Sequence, residues 1–288
     1  MAIREDRIAE AQKHIGLVKG ILASETSNTI EGAKLYEDGE KRDRPTAEPR
    51  FEKTEITVER VDAVYAICKA KGKACVLDFA SYRYPGGGYE RGAWAQEEAL
   101  CAESNLYPIL DGLKSMYYEP NRKSICGELY TDRALYLSDV VFLHGGNMLK
   151  RDVIVCAAPN RSRALENHRS QAECDLCMRN RVFQVMGIAV DNNVDTLVLG
   201  AFGCGVFGND SSKVARYFEE WLSENPGMFE TVVFAIPGGP NSDAFKSVFG
   251  KSHDEIEQKP ISAHDDPQED EDEEDWLPPS EDGRWVFD

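Results

Sequence analysis

The sequence predicts an α/β fold in which helices cover both sides of a mostly parallel sheet. Two observations predict it. Several short runs of apolar and β-branched residues are nearly continuous, which is typical of strands that are buried on both faces. Helical patterns of ordinary length separate the last three runs, as in β-α-β units. The predicted strands span residues 74–80, 139–144, 152–159, 196–203 and 231–239.

Each of the two predicted helices between the last three strands carries an apolar stripe, as expected for a helix packed on a sheet. The first, residues 172–193, has apolar side chains at positions 176, 182, 183, 186 and 190. The second, residues 210–225, begins with Asp-Ser, a favoured helix cap, and aligns Val214, Phe218 and Leu222 on one face.

Charge divides the chain into two parts. The 288 residues have a net charge of −18, and residues 251–288 contain 15 acidic residues against 3 basic ones. Such dense like charge with few apolar residues is typical of disorder. We therefore predict one domain over residues 1–251, with an N-terminal helical extension, and an acidic, disordered tail over 252–288. The tail contains Trp276 and Trp285. A short docking motif around these side chains is therefore the alternative to a purely solvated segment.

The composition argues against several classes of protein. No apolar run approaches the roughly 20 residues of a membrane helix, and the first residues lack the apolar core of a secretory signal. We therefore expect a cytoplasmic protein, or a nuclear one in a eukaryote. No basic stripe is present that would bind duplex nucleic acid.

Cys174 and Cys177 form a CxxC pair without a second pair, which predicts helix packing rather than a metal or redox site. We expect no metal and no cofactor.

Two glycine-rich loops follow predicted strands and lead into predicted helices. The first runs from Ala80 to Gln96, and the second runs from Gly200 to Asp210. In open α/β sheets, ligands bind beyond the carboxyl ends of the strands, where such loops collect. The sequence therefore predicts that both loops face one common cleft.

The second loop has the spacing of an anion-binding turn. Gly203, Gly205 and Gly208 follow the pattern G-x-G-x-x-G, but the next strand ends without the acid that a dinucleotide-binding unit requires. Exposed backbone amides beside a helix N-terminus can still bind a diphosphate without Lys or a metal. A tight strand-to-helix turn with no ligand is the alternative.

The first loop, "YPGGGYERGAWAQEEAL", combines three glycines with two adjacent acids. Gly86, Gly87 and Gly88 allow the backbone to approach a ligand closely. Glu97 and Glu98 open the next helix, and because adjacent helical residues diverge by about 100°, they cannot perform the same task. The helix dipole alone also favours acids in a first turn, which is the structural alternative.

The spacing GGG-x7-QEE, followed by "GAFGCGVFGND", resembles the signature of the bacterial-type and fungal-type poly(ADP-ribose) glycohydrolases, which have the macrodomain fold. The resemblance extends from "DRIAEAQKHI" near the N-terminus to "FKSVFG" at residue 250. It implies a three-layer α/β/α sandwich with a central mixed, mostly parallel sheet. It also implies a monomer that cleaves ribose–ribose bonds of poly(ADP-ribose) on modified proteins and releases ADP-ribose.

The resemblance also implies roles for individual residues. Glu98 would be the catalytic acid and base, Glu97 would hold ribose hydroxyls, and Phe207 would pack on the terminal ribose. At the position of Asp78 many relatives carry Asn, so its contact with the ribose would differ. The implied substrate-binding residues are Gln96, Gly86, Gly87, Gly88, Asp78, Gly203, Cys204, Gly205, Val206, Phe207 and Gly208.

Cleavage of a glycosidic bond requires a proton for the departing oxygen. For Glu98 to supply it near neutral pH, burial against apolar neighbours such as Trp94 or Phe207 must raise its pKa against the pull of the helix N-terminus. Two alternatives remain open: a macrodomain that only binds ADP-ribose, and a hydrolase of mono-ADP-ribose. The Gln-Glu-Glu triplet beside three glycines favours an enzyme over a binding module.

Several other residues receive structural interpretations. His144 is expected to lie at a strand end with a satisfied hydrogen bond, and Asn209 and Asp210 are expected to cap a helix. Residues 30–60 are predicted to be mostly surface loop. Three tyrosines around the glycines could stack on adenine or line the mouth of the cleft: Tyr82, Tyr84 and Tyr89.

Overall fold

The computed structural model describes residues 2–39 and 47–250. The acidic tail predicted for residues 252–288 lies outside the described residues, so it stays a prediction. No helix within the described part of the chain is long and apolar enough to span a membrane.

A seven-stranded mixed sheet forms the centre of the domain, in the order β1-β4-β5-β3-β6-β7-β2. Four neighbouring pairs are parallel, and the pairs β1–β4 and β4–β5 are antiparallel. The prediction of a mixed, mostly parallel sheet is therefore confirmed. The strands are β1 (Lys34–Tyr36), β2 (Glu55–Glu59), β3 (Ala74–Phe79), β4 (Ala134–His144), β5 (Asn147–Cys156), β6 (Thr196–Leu199) and β7 (Thr231–Ala235).

The sequence located the central strands better than the edges. The prediction of surface loop over residues 30–60 was wrong for β1 and β2, which form the two edges of the sheet. Both strands are short and only partly buried, so neither produces a long apolar run. The predicted strand 139–144 is only the second half of β4, because a register shift between Leu137 and Val140 interrupts the pattern.

Helices pack against both faces of the sheet, as the continuous apolar strands predicted. Along β3, Cys75 and Leu77 point into a core shared with the long helix α8, whereas Val76 points into a core shared with α4 and α5. The helices are α1 (Ala2–Ile21), α2 (Ala23–Glu31), α3 (Ala63–Lys69), α4 (Gln96–Ala102), α5 (Leu106–Gly112), α6 (Tyr118–Lys123), α7 (Arg161–Glu166), α8 (Gln171–Asp191), α9 (Ser211–Glu224) and α10 (Gly239–Phe249).

The two helices predicted from periodicity are α8 and α9. Ser170 and Glu173 form a capping box at the start of α8, and Asp210 caps α9 by accepting a hydrogen bond from the Lys213 N–H at 3.0 Å. The apolar face predicted for α9 is buried. The predicted stripe of α8 was wrong at Leu176, which is 59% exposed, because the buried face of these first turns carries Cys174 and Met178 instead.

A buried arginine holds the loop that precedes β4. Arg181 on α8 is 0% exposed and donates hydrogen bonds to the carbonyls of Ala157, Leu129 and Tyr130. It also pairs with the Asp132 carboxylate at 2.9 Å. One guanidinium therefore supplies hydrogen-bond donors to backbone carbonyls of two chain segments, one before β4 and one after β5.

We expect Arg181→Met to lower the free energy of unfolding by about 3 kcal/mol, because it leaves buried carbonyls without a donor. Urea denaturation monitored by circular dichroism measures the change. Arg179→Met is the matched control from the same helix, since Arg179 pairs with Glu220 at the surface and should cost about 1 kcal/mol or less. Equal losses in the two variants would contradict the role given to Arg181.

Candidate active site

The first turn of α4 is fastened to the end of β3. The Gln96 side-chain oxygen accepts a hydrogen bond from the Phe79 N–H at 2.9 Å, and its amide nitrogen donates to the Leu77 carbonyl at 2.7 Å. Gln96 therefore spans the backbone on either side of Asp78. The predicted contact of Gln96 with substrate stays a prediction, and its observed contacts are with the strand.

Backbone amides hold both oxygens of the Glu98 carboxyl group. Oε1 accepts from the Gly88 N–H at 2.8 Å, and Oε2 accepts from the Ala95 N–H at 2.9 Å. These two donors lie at opposite ends of the segment that connects the glycine triplet to α4. The Glu98 side chain is 6% exposed and is therefore fixed at the edge of the protein interior.

Gly87 is the glycine on which this geometry depends most directly. Its φ is +59°, and an added Cβ would lie 2.5 Å from Glu98 Oε1 and 2.9 Å from Glu97 Oε2. A side chain at this position would therefore push both carboxyl groups away. The space beside Gly86 is occupied by the Tyr107 ring, and the space beside Gly88 by Ala93. Contacts within the protein therefore explain all three glycines. The sequence had been interpreted as requiring them for the close approach of a ligand.

Three carboxyl groups lie buried around the start of α4. Asp78 is 0% exposed and Glu97 is 4% exposed, and Glu97 Oε2 accepts from the Ser81 N–H at 2.7 Å. Both Asp78 oxygens and Glu97 Oε1 find no hydrogen-bond partner within residues 2–39 and 47–250. Two buried hydroxyls near them, those of Tyr117 and Tyr118, are likewise unpartnered within that part of the chain.

Burial and mutual repulsion favour the protonated forms of these acids. Burial, and then the charge of Glu98, raise the pKa of Asp78 well above its usual range. Burial likewise raises the pKa of Glu97, with further contributions from Asp78 and Glu98 and an opposing one from the N–H groups of Ser81 and Gly86. The site can therefore retain protons at a pH where exposed carboxyl groups have lost them.

The indole of Trp94 is not part of this buried environment. Trp94 is 54% exposed, and the guanidinium of Arg7 lies 5.6 Å from its ring centroid. The Glu98 carboxyl group instead contacts the backbone of Gly88 and Ala95 and occupies the space beside Gly87.

The second loop is a compact turn held by Asn209. The Asn209 amide nitrogen donates to the carbonyls of Pro159 and Gly203, both at 2.9 Å. The prediction that Asn209 caps the helix was therefore wrong, whereas Asp210 does cap α9. Gly203 and Gly208 have positive φ and lie against neighbouring side chains. Gly205 and Val206 form an exposed tip, and Cys204 is partly buried beneath it.

Aromatic contacts bring the two loops together. Phe79 and Phe202 lie 5.3 Å apart between ring centroids. Tyr82 stacks on Tyr130 at 4.1 Å, and Tyr130 meets Phe207 edge to face at 6.1 Å. These contacts agree with the expectation that both glycine-rich loops border the same cleft.

The other residues singled out from the sequence have structural contacts. Tyr82 and Tyr89 are buried, and the Tyr89 hydroxyl lies 3.0 Å from His14 Nδ1. Tyr84 lies beneath the Arg91 guanidinium. His144 ends β4, with Nδ1 3.4 Å from the Glu103 carboxylate. Sequence reasoning missed Tyr130, because its partners are distant in the chain and no local motif marks it.

We expect Asp78→Asn to stabilise the protein at high pH. Because the folded state raises the pKa of Asp78, the unfolded chain loses this proton first as the pH rises, and wild-type stability falls. The amide of the variant does not titrate, so its stability does not fall in this way as the pH rises. The melting temperature of the variant should exceed that of the wild type by about 3 °C or more at pH 8 and approach it at about pH 4.

Differential scanning fluorimetry across this pH range measures the effect. Asp243→Asn is the control, because the Asp243 side chain is largely exposed and its substitution should leave the melting temperature nearly unchanged at every pH. A pH-independent difference at Asp78 would show that the carboxyl group is not held protonated.

The likeness to known proteins falls on the same residues. A family profile described as microbial-type PARG, catalytic domain, where PARG is poly(ADP-ribose) glycohydrolase, matches residues 11–145. This range contains the first glycine loop and the three buried carboxyl groups. A search of curated proteins found no match.

Solved structures extend the likeness over most of the domain. PARG from Thermomonospora curvata has a TM-score of 0.73 and 29% identity, covering 85% of this chain and 100% of that one. The same enzyme bound to the inhibitor ADP-HPD has a TM-score of 0.71 and 28% identity, covering 85% and 99%. PARG from Deinococcus radiodurans in complex with ADP-ribose has a TM-score of 0.67 and 32% identity, covering 78% and 96%.

These likenesses confirm the macrodomain-like, three-layer fold expected from the sequence. The Deinococcus relative is matched over nearly its whole length, and the family profile covers the carboxyl cluster and the glycine loop beside it. The chain belongs to the microbial-type poly(ADP-ribose) glycohydrolase family.

Proposed function

We infer that the protein hydrolyses the ribose–ribose O-glycosidic bonds of poly(ADP-ribose) and releases ADP-ribose, with Glu98 as general acid and base. The observation that carries this assignment is the fixed position of the Glu98 carboxyl group, which the Gly88 and Ala95 amides hold beside the glycine triplet. Membership of the glycohydrolase family supports the reaction, and the ADP-ribose complex of the Deinococcus relative supports the ligand.

The reaction needs one proton delivered and one removed. Glu98 donates its proton to the departing ribose oxygen as the bond from that oxygen to the anomeric carbon breaks. The resulting carboxylate accepts a proton from the water that attacks the anomeric carbon, which restores the acid and leaves a ribose hydroxyl on the product. One water is consumed, and both ribose products end in hydroxyl groups.

The neighbouring groups prepare Glu98 for both steps. Its two backbone donors fix the carboxyl plane, and they stabilise the carboxylate after proton donation. Glu97 and Asp78, whose pKa values are raised chiefly by burial, can act as neutral hydrogen-bond donors beside Glu98. Glu97 Oε1 and the Asp78 oxygens have unused hydrogen-bonding capacity but are enclosed by protein atoms, so a ribose hydroxyl reaches them only if the glycine loop moves.

The second loop is suited to the diphosphate. The amides of residues 203–208 form a turn before α9, and the start of a 14-residue helix carries partial positive charge. Phe207 is only partly buried and is held by Tyr130, so one side of its ring can pack against the terminal ribose. Because one chain supplies every group named here, we propose that the protein acts as a monomer.

We expect Glu98→Gln to reduce turnover of poly(ADP-ribose) by about 10²- to 10⁴-fold, because the amide can neither donate nor accept the required proton. Binding of ADP-ribose should remain. Chromatographic assay of released ADP-ribose and titration calorimetry measure the two properties. Glu103→Gln is the matched control, since Glu103 follows the same helix and pairs with His144 at the surface. Full turnover in the Glu98 variant would disprove the assignment.

We expect Gly87→Ala to reduce turnover about 100-fold, because a methyl group at this position displaces the Glu98 carboxyl group from its backbone donors. Gly145→Ala is the control for backbone strain. Gly145 has φ +57°, close to that of Gly87, but nothing lies within 4 Å of its added Cβ. If both variants lose turnover equally, strain rather than displacement of Glu98 is the cause.

The two alternatives make different demands on the site. A protein that only binds ADP-ribose would show no release of ADP-ribose from polymer at any enzyme concentration. A hydrolase of mono-ADP-ribose would turn over a singly modified protein faster than polymer. Parallel assays of wild-type protein on purified polymer and on a singly modified protein therefore decide among the three functions.

A further inference from the structure

The solvent side of the first glycine loop carries a group of arginine and aromatic side chains, which we call the Trp94 patch: Arg7, Tyr84, Arg91 and Trp94. The Arg91 guanidinium lies 5.3 Å from the centre of the Tyr84 ring, and that of Arg7 lies 5.6 Å from the centre of the Trp94 ring. Trp94 is more than half exposed. Exposed aromatic rings beside guanidinium groups are suited to stacking on a base and pairing with phosphate.

Hydrogen bonds and close packing hold the patch in place. Arg91 donates to the Gly87 carbonyl at 3.2 Å, and Arg4 on α1 donates to the Arg91 carbonyl at 3.0 Å. Gly92 lies so close to α1 that an added Cβ would approach the Arg4 carbonyl oxygen within 2.6 Å. The first turns of α1 are therefore packed on the same loop that positions Glu98.

The patch is carried by the same backbone segment that holds the proposed general acid. A general acid must face the oxygen that departs, so Glu98 marks that side of the scissile bond. Trp94 directly precedes Ala95, whose N–H holds Glu98 Oε2. The Arg91 guanidinium donates a hydrogen bond to the carbonyl of Gly87, the residue beside Glu98 Oε1. A polymer unit attached to the departing oxygen would therefore begin near this backbone segment.

The charges around the patch favour specific contacts over general attraction. The whole chain has a net charge of −18, and Glu10 and Glu90 are exposed near the patch. The region is therefore not a uniformly basic surface. Arg7 and Arg91 instead present guanidinium groups next to rings, an arrangement that recognises a phosphate and a base together.

We propose that the Trp94 patch binds the ADP-ribose unit on the leaving-group side of the scissile bond, with Trp94 stacking on its adenine and Arg7 pairing with its diphosphate. This inference rests on the proposed function. It gives the enzyme a second site for the polymer, outside the cleft that holds the released ADP-ribose.

Kinetics on protein-free polymer of one chain length test the proposal. Trp94→Ala should raise KM about tenfold, because it removes one stacked base. Arg7→Ala should raise KM about fivefold and weaken the dependence of KM on NaCl concentration. The affinity of either variant for free ADP-ribose, measured by calorimetry, should stay within about twofold of the wild type. Lys13→Ala, which removes an exposed cation of the same helix, is the control and should leave KM unchanged.

The possible outcomes separate this inference from the function on which it rests. Wild-type protein without activity on polymer would refute the proposed function. Active wild-type protein with unchanged KM in both patch variants would refute only the second site. A parallel loss of affinity for free ADP-ribose would place the patch in the cleft instead, and an effect confined to protein-attached polymer would assign it to the carrier protein. Either of these last two results would overturn the proposed second site.

Discussion

The candidate active site depends on burying the Glu98 carboxyl group between two backbone amides while two further acids lie close by. Burial of a carboxyl group is costly unless it is hydrogen-bonded or neutral. This site uses both solutions, because Glu98 is held by N–H groups and the pKa of Asp78 and that of Glu97 are raised, chiefly by burial. The result is a buried cluster of three acids, two of which have pKa values that favour retention of their protons.

The Gln-Glu-Glu triplet works as one structural unit because its three side chains point in different directions. Gln96 forms hydrogen bonds with the backbone of β3, and Glu97 accepts one from Ser81 at the start of the glycine loop. Glu98 accepts hydrogen bonds from both ends of the segment that leads into α4. A helix turns by about 100° per residue, which is what separates these targets. One helical turn thereby joins strand, loop and helix around the acid.

Much of the fold and the position of the site follow from the sequence, because both depend on local patterns. Strands buried on two faces are continuous apolar runs, and the glycine triplet and the acids are adjacent in the chain. The edge strands β1 and β2 were missed because their residues are half exposed. The partners of Gly87 and the true role of Asn209 were missed for a different reason: a steric fit and a long-range hydrogen bond leave no periodic signal.

The contact between the two glycine-rich loops is supported by a side chain from α8. Arg181 fixes the carbonyls of Leu129 and Tyr130, and the Tyr130 ring packs between Tyr82 at the start of the first loop and Phe207 at the end of the second. A single buried cation therefore positions the aromatic side chain that both loops share. Under the proposed function, Glu98 both donates and accepts a proton, which requires neighbours fixed to within a fraction of an ångström. For the segment around Tyr130, part of that precision comes from the Arg181 guanidinium on α8, the longest helix of the described residues.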